Sequence, residues 1–276
     1  MQRSRIAAAL LVAPLLGAVI AGCGDEGTDG GADEPSPSGE PTLAEMPDAS
    51  AFSTVIDNPF MPWIPGTVFT YEGGGETIVV EVTDETREVM GVTTVVVHDT
   101  VSEDGEVVED TYDWYAQDAD GNVWYFGEDS KEMSDGEITS TEGSWEAGVD
   151  GALPGIAMET DPQVGDYYYQ EYYEGHAVDT GEVLARDEQV EVPYGSFDDC
   201  LRTEDVNPLD TSVIEHKFYA AGVGFVLETG VQGSDQRIEL VSVDPTGSAP
   251  APPLGTGPGP AAAAAGPGFS EEVKAW

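Results

Sequence analysis

Residues 106–127, EVVEDTYDWYAQDADGNVWYFG, decide the fold. From Glu106 to Gln117 the side chains alternate. Val108, Asp110, Tyr112, Trp114 and Ala116 share one face. A two-residue period is the mark of a β-strand. Asp118-Ala119-Asp120-Gly121-Asn122 then supplies turn chemistry, and Val123–Gly127 returns as a second strand. The whole stretch predicts a hairpin.

The pattern spreads outward from this hairpin. Upstream, Ile78, Val80 and Val82 share a face, and 91–101 is a Val- and Thr-rich run. Downstream, 167–173, 183–192, 213–219, 224–230 and 237–243 continue the series. Asp104-Gly105 and Asp135-Gly136 are two-residue hairpin signals, because a primed turn needs positive φ at both central residues. Pro59, Pro62 and Pro65 keep the first strand from starting early. No helical period follows residue 22, so no crossover helices exist to support a parallel sheet. The expected fold is all-β, a single antiparallel meander of ten to twelve strands, forming a curved sheet or partly closed barrel.

That body is expected to span residues 51–246. Residues 1–22 carry Arg3 and Arg5, then an apolar run broken by Pro14 and Gly17. This reads as a signal peptide rather than a membrane span. Ile20-Ala21-Gly22-Cys23 resembles the bacterial lipobox, in which the cysteine receives the lipid and the signal is removed. The alternative is an ordinary secretion signal with a chance cysteine. Residues 23–50 are acidic and rich in Gly, Pro and Ser, and are expected to be a flexible tether. Residues 247–276 are Gly-, Pro- and Ala-rich and are expected to be disordered.

Composition narrows the function. The 276 residues hold 54 acidic and 9 basic side chains, a formal net charge of −45. A nucleic-acid partner is not expected, because a phosphate backbone requires a basic footprint. Two cysteines make no disulfide framework and no cysteine zinc cluster.

Several segments resemble an uncharacterised family of secreted bacterial lipoproteins. They are Ile56-Asp57-Asn58-Pro59-Phe60-Met61-Pro62 with Pro65-Gly66-Thr67, Tyr71-Glu72-Gly73, and Asp113–Asp118 running on to Gly127-Glu128-Asp129. Gly143–Gly148, Glu215-His216-Lys217, Tyr219 and Gly222-Val223-Gly224 complete them. The resemblance implies an envelope location and brings no activity with it. The meander is also loosely similar to the half-barrel carriers that shuttle lipoproteins between bacterial membranes. Those carriers usually close their barrel with helices, and this sequence offers no helix for that purpose.

Catalytic signals are weak. There is no Gly-x-Ser-x-Gly elbow and no His-Glu-x-x-His. His98, His176 and His216 read more readily as structural than as bases. Cys200 follows Asp198 and Asp199, which raise a thiol pKa, so an inert buried thiol is expected. Among so many acids, a hydrolytic carboxylate pair cannot be singled out by spacing. Asp118, Asp120 and Asn122 resemble half of a calcium loop, but the glycine falls at the fourth position instead of the sixth. A plain hairpin turn competes with a metal site there. Trp114, Trp124, Trp145, Tyr167, Tyr169 and Tyr172 are candidates either for core packing or for a groove that holds an apolar or sugar-like ligand.

The expectation is a non-enzymatic, monomeric, extracytoplasmic lipoprotein anchored to the cell membrane through Cys23, with no cofactor. It would bind or carry an amphipathic ligand or assist envelope assembly. An envelope interaction module without a small-molecule site is the alternative, and a carboxylate-dependent wall hydrolase stands behind both.

Overall fold

The computed structural model describes residues 39–245. The expected signal peptide, Cys23, most of the expected tether and the Ala-rich tail lie outside the described residues. The strands are β1 (Thr67–Gly73), β2 (Glu76–Val89), β3 (Val92–Glu103), β4 (Glu106–Gln117), β5 (Val123–Ser134), β6 (Glu137–Ser140) and β7 (Trp145–Glu146). They continue as β8 (Leu153–Met158), β9 (Tyr167–Tyr173), β10 (Ala177–Val192), β11 (Gly195–Asn207), β12 (Asp210–Ala220), β13 (Gly224–Gln232) and β14 (Arg237–Pro245). Among the described residues the only helical element is a 3-10 turn at Ala49–Ala51.

Twelve strands close into one antiparallel ring. Each pairs with its neighbour in the order β1-β2-β3-β4-β5-β8-β9-β10-β11-β12-β13-β14, and β14 returns to β1. The expected meander is therefore present, and its barrel is closed. Closure comes from the β1–β14 ladder, in which Phe69 lies opposite Val243 and Gly73 opposite Ile238. A closed ring leaves no unpaired edge among its members. β6 and β7 hang from β5 outside the ring path.

The turns follow their residue chemistry. Asp104 and Gly105 have φ of 51° and 84°, and Asp135 and Gly136 have 54° and 77°. Both central residues of each turn thus adopt the positive φ that a primed turn requires.

Two ends of the barrel differ. At the end carrying the β2–β3, β4–β5 and β12–β13 turns, the interior is apolar and aromatic. Phe69, Val80, Val97, Tyr115, Tyr125, Tyr219 and Phe225 are buried there. Residues 56–63 fold over this mouth. The Asn58 side chain donates to Gly121 O and Glu159 O, both at 3.0 Å, and its Oδ1 accepts from Phe60 N at 2.9 Å. Gly222 N donates to Pro59 O. Trp63 then meets Tyr115 edge-on, with ring centroids 4.4 Å apart. A pinned loop thus covers this opening.

The end of the segment expected as a tether packs on the barrel from Thr42 onward. Thr42 exchanges backbone hydrogen bonds with Tyr167 and Tyr169, and Ala44, Met46 and Ala49 pack against the core. A few small apolar side chains suffice to hold the last part of this acidic segment to the barrel wall.

Candidate functional site: a buried carboxyl chamber

Toward the opposite end the inward-facing positions turn acidic. In the ladder between β4 and β5, Thr111 lies opposite Ser130 and Asp113 opposite Glu128. Between β9 and β10, Glu171 lies opposite Asp179. Asp205 of β11 lies opposite Glu215 of β12, and Lys217 of β12 opposite Glu228 of β13. Since neighbouring strands present their paired residues to the same face, these side chains meet inside the ring. Asp99 of β3 and Glu109 of β4 join them and are also buried.

Burying so many carboxyls is costly unless they are neutralised or hydrogen-bonded. Some are. Tyr125 OH donates to Asp113 Oδ1 at 2.7 Å. Thr203 Oγ1 donates to Asp205 Oδ1 at 2.6 Å, and Lys217 Nζ lies 3.1 Å from Asp205 Oδ2. Lys217 is the one basic side chain among the buried described residues. For most of the carboxyls burial also favours the protonated form. Burial pushes Glu109 up to about 7, and burial likewise pushes Asp113 and Asp179 up to about 7. Glu228 rises to about 8, from burial and then from the Glu215 charge. Glu128 and Glu171 are raised well above the usual carboxylate range, first by burial and then by Asp113 and Asp179 respectively. Lys217 is held above the usual lysine range by the surrounding anions, which outweigh its burial.

Several buried polar atoms here have no hydrogen-bond partner of good geometry. They include Asp179 Oδ2 and Gln170 Oε1. A bulge in β9, across which Asp179 pairs with Glu171 while Thr180 pairs with Tyr169, leaves Gln170 as the extra residue. Gln170 and Glu171 are both fully buried.

The aromatic candidates do not converge. Trp114 lies on the outer face of β4, under the Arg87 guanidinium at 3.9 Å, and Arg87 also pairs with Glu146. Trp124 is buried against Phe52 and donates to Asp118 Oδ2 at 2.8 Å. Tyr167, Tyr169 and Tyr172 are half-buried on the outer face of β9, where Tyr169 and Tyr172 meet edge-on at 5.0 Å. Trp145 alone faces the chamber side. Its ring packs edge-on to Tyr125 at 5.3 Å, and it is one of the groups acting on Glu171.

The Asp118–Asn122 loop is a hydrogen-bonded turn. Asp118 Oδ1 accepts from Asp120 N and Asn122 N, both at 2.9 Å. Its Oδ2 accepts from Asn122 Nδ2 as well as from Trp124. Asn122 Oδ1 accepts from Thr160 N, and Asp120 is exposed. The lone pairs a cation would need are already engaged. Among the described residues, no group of three acidic, histidine or cysteine side chains is arranged to hold a metal ion. Cys200 is fully buried, and burial followed by Asp198 and Asp199 pushes its thiol up to about 12.

The chamber is hard to read in the sequence, because spacing alone does not separate inward-facing acids from the many on the surface. The available signal was Lys217, one of three lysines in the chain, set mid-strand two residues after Glu215. Asp113, Glu128, Trp145, Glu215, Lys217 and Tyr219 all lie within the segments that carry the lipoprotein resemblance.

Comparison with known proteins gives little more. No family model and no curated protein matches the chain. Two solved structures do. A Bacteroides fragilis protein described as exported, with a YmcC-like fold, is 15% identical with a TM-score of 0.37. A Parabacteroides distasonis protein described as a lipoprotein is 11% identical with a TM-score of 0.37. In each case 67% of this chain and 98% of the other is covered.

Proposed function

We propose that the chain is a lipid-anchored extracytoplasmic protein without catalytic activity, whose barrel serves as an interaction module of the cell envelope. The lipobox at Ile20–Cys23 and the acidic segment behind it support the anchoring. The observation that carries the module reading is the close packing of one end of the lumen. One half of the lumen is packed with aromatic and aliphatic side chains, and a cavity there among Met61, Trp63, Tyr71 and Phe225 measures about 20 Å³. That is room for about one water, against the several hundred Å³ of an ordinary ligand pocket. The other half holds mutually facing carboxyls, an environment hostile to an acyl chain. Recognition then falls to the outer surface, where Tyr169 and Tyr172 lie beside the partly exposed Leu153.

Two measurements test this. Cys23→Ala should move the protein from the membrane fraction to the soluble fraction; retention in the membrane would remove the anchor. A photo-crosslinking residue at position 169 or 172 should trap a discrete envelope protein in cells. If native mass spectrometry of the lipidated protein instead reveals a non-covalent guest of a few hundred daltons beyond the anchor, the carrier reading replaces this one.

A further inference from the structure

We propose that the carboxyl chamber is a proton-dependent latch, which holds the β9–β10 side of the barrel closed in mild acid and loosens it in mild alkali. This is independent of what binds the outer surface.

The geometry starts from the Glu171–Asp179 pair. The two carboxyls sit directly opposite each other on β9 and β10, and both are buried. Glu171 and Asp179 act on each other directly, and the Trp145 indole is the one neutral donor that favours the ionised form of Glu171. Two adjacent buried carboxyls can coexist when one carries a proton, but two carboxylates repel strongly in low dielectric. The surroundings do not relieve this. β3 presents Asp99, β4 presents Glu109 and Asp113, and β5 presents Glu128. β11 presents Asp205, β12 presents Glu215 and Lys217, β13 presents Glu228, and Glu76 of β2 stands behind Glu228. β1 contributes Tyr71 near Asp99. From β7 comes the neutral Trp145. β8 and β14 present only apolar buried side chains here. The single cation, Lys217, is already engaged by Asp205. Each proton lost therefore adds an uncompensated charge to a closed space.

The sign follows from linkage. The folded chamber retains protons that the unfolded chain releases near pH 4 to 5. Between there and about pH 7 to 8, where Glu109, Asp113, Asp179 and Glu228 titrate, the open state binds fewer protons than the closed one. Opening then becomes easier by about tenfold per pH unit for each proton released. The bulge at Gln170 weakens the β9–β10 ladder at that point, so this side is where the strain should be relieved.

Hydrogen exchange of the mature protein, read at pH 6 to 9 and corrected for intrinsic rates, tests the latch. The amides of β9 and β10 should lose protection by about tenfold or more between pH 6 and 8, and the loss should persist in 1 M NaCl, which screens surface repulsion but not buried charge. Glu171→Gln, which keeps a neutral side chain of the same shape, should reduce that loss, whereas exposed Glu81→Gln should not. A pH-independent pattern, a pH effect abolished by salt, or an unchanged profile in Glu171→Gln would each overturn the proposal. If Glu171→Gln fails to fold, Glu228→Gln serves as the second variant under the same criteria.

Discussion

Lys217 Nζ lies 3.1 Å from Asp205 Oδ2 inside the barrel, and neither side chain is more than 8% exposed. This ion pair is the point at which an acidic interior receives its positive charge. Its removal leaves Asp205 beside Glu215 and Glu228 with no counter-charge. Lys217→Met should therefore destabilise the fold by about 3–5 kcal/mol, the usual cost of stranding one partner of a buried pair. Urea unfolding at pH 7 checks this. Adding Asp205→Asn should restore part of the loss, because the uncompensated charge is then gone.

Tyr125 OH donates to Asp113 Oδ1 at 2.7 Å, a bond that favours the ionised carboxyl against its burial. Tyr125→Phe should cost about 1–3 kcal/mol. The cost should be larger at pH 8.5 than at pH 5, because only the ionised form of Asp113, which titrates near 7, loses a charge-assisted bond. Equal destabilisation at both values would show that Asp113 does not titrate in this range.

The mouth cover depends on Asn58. Asn58→Ala removes donors to Gly121 O and Glu159 O and leaves both carbonyls unsatisfied. A loss of about 1–3 kcal/mol is expected. Limited proteolysis should then cut between residues 53 and 66 faster than in the parent protein, while the barrel strands stay resistant. Uniform cleavage throughout would mean that the loop and the barrel fold as one unit.

Cys200 should be silent toward thiol reagents in the native protein at pH 8. It is fully buried and its thiol is pushed up to about 12, so thiolate is scarce and inaccessible. One equivalent should react when the protein is unfolded in guanidinium. Reaction under native conditions would reveal opening of the β10–β11 region.

Much of the architecture was legible in residue order. The limits of β4 and β9 follow from alternation and turn chemistry, as do the primed turns at Asp104-Gly105 and Asp135-Gly136. β11 was missed for a physical reason. Its inward residues are Leu201, Thr203 and Asp205, and polar groups at buried positions erase the alternation by which a strand is recognised. The same fact hid the chamber. An acid at an inward position and an acid on the surface look alike until the neighbouring strand is known.

The sequence by itself determined the strand period, the turns, the absence of helical pattern and the overall acidity, because each depends on residues close together in the chain. The tertiary structure alone decided that the ring closes from β14 onto β1, that residues 56–63 cover one mouth, and which face of each strand turns inward. Those outcomes depend on pairings between residues as distant as Phe69 and Val243. Only such pairings bring Glu171 against Asp179 and Lys217 against Asp205, where low dielectric turns ordinary surface chemistry into a buried, proton-holding network.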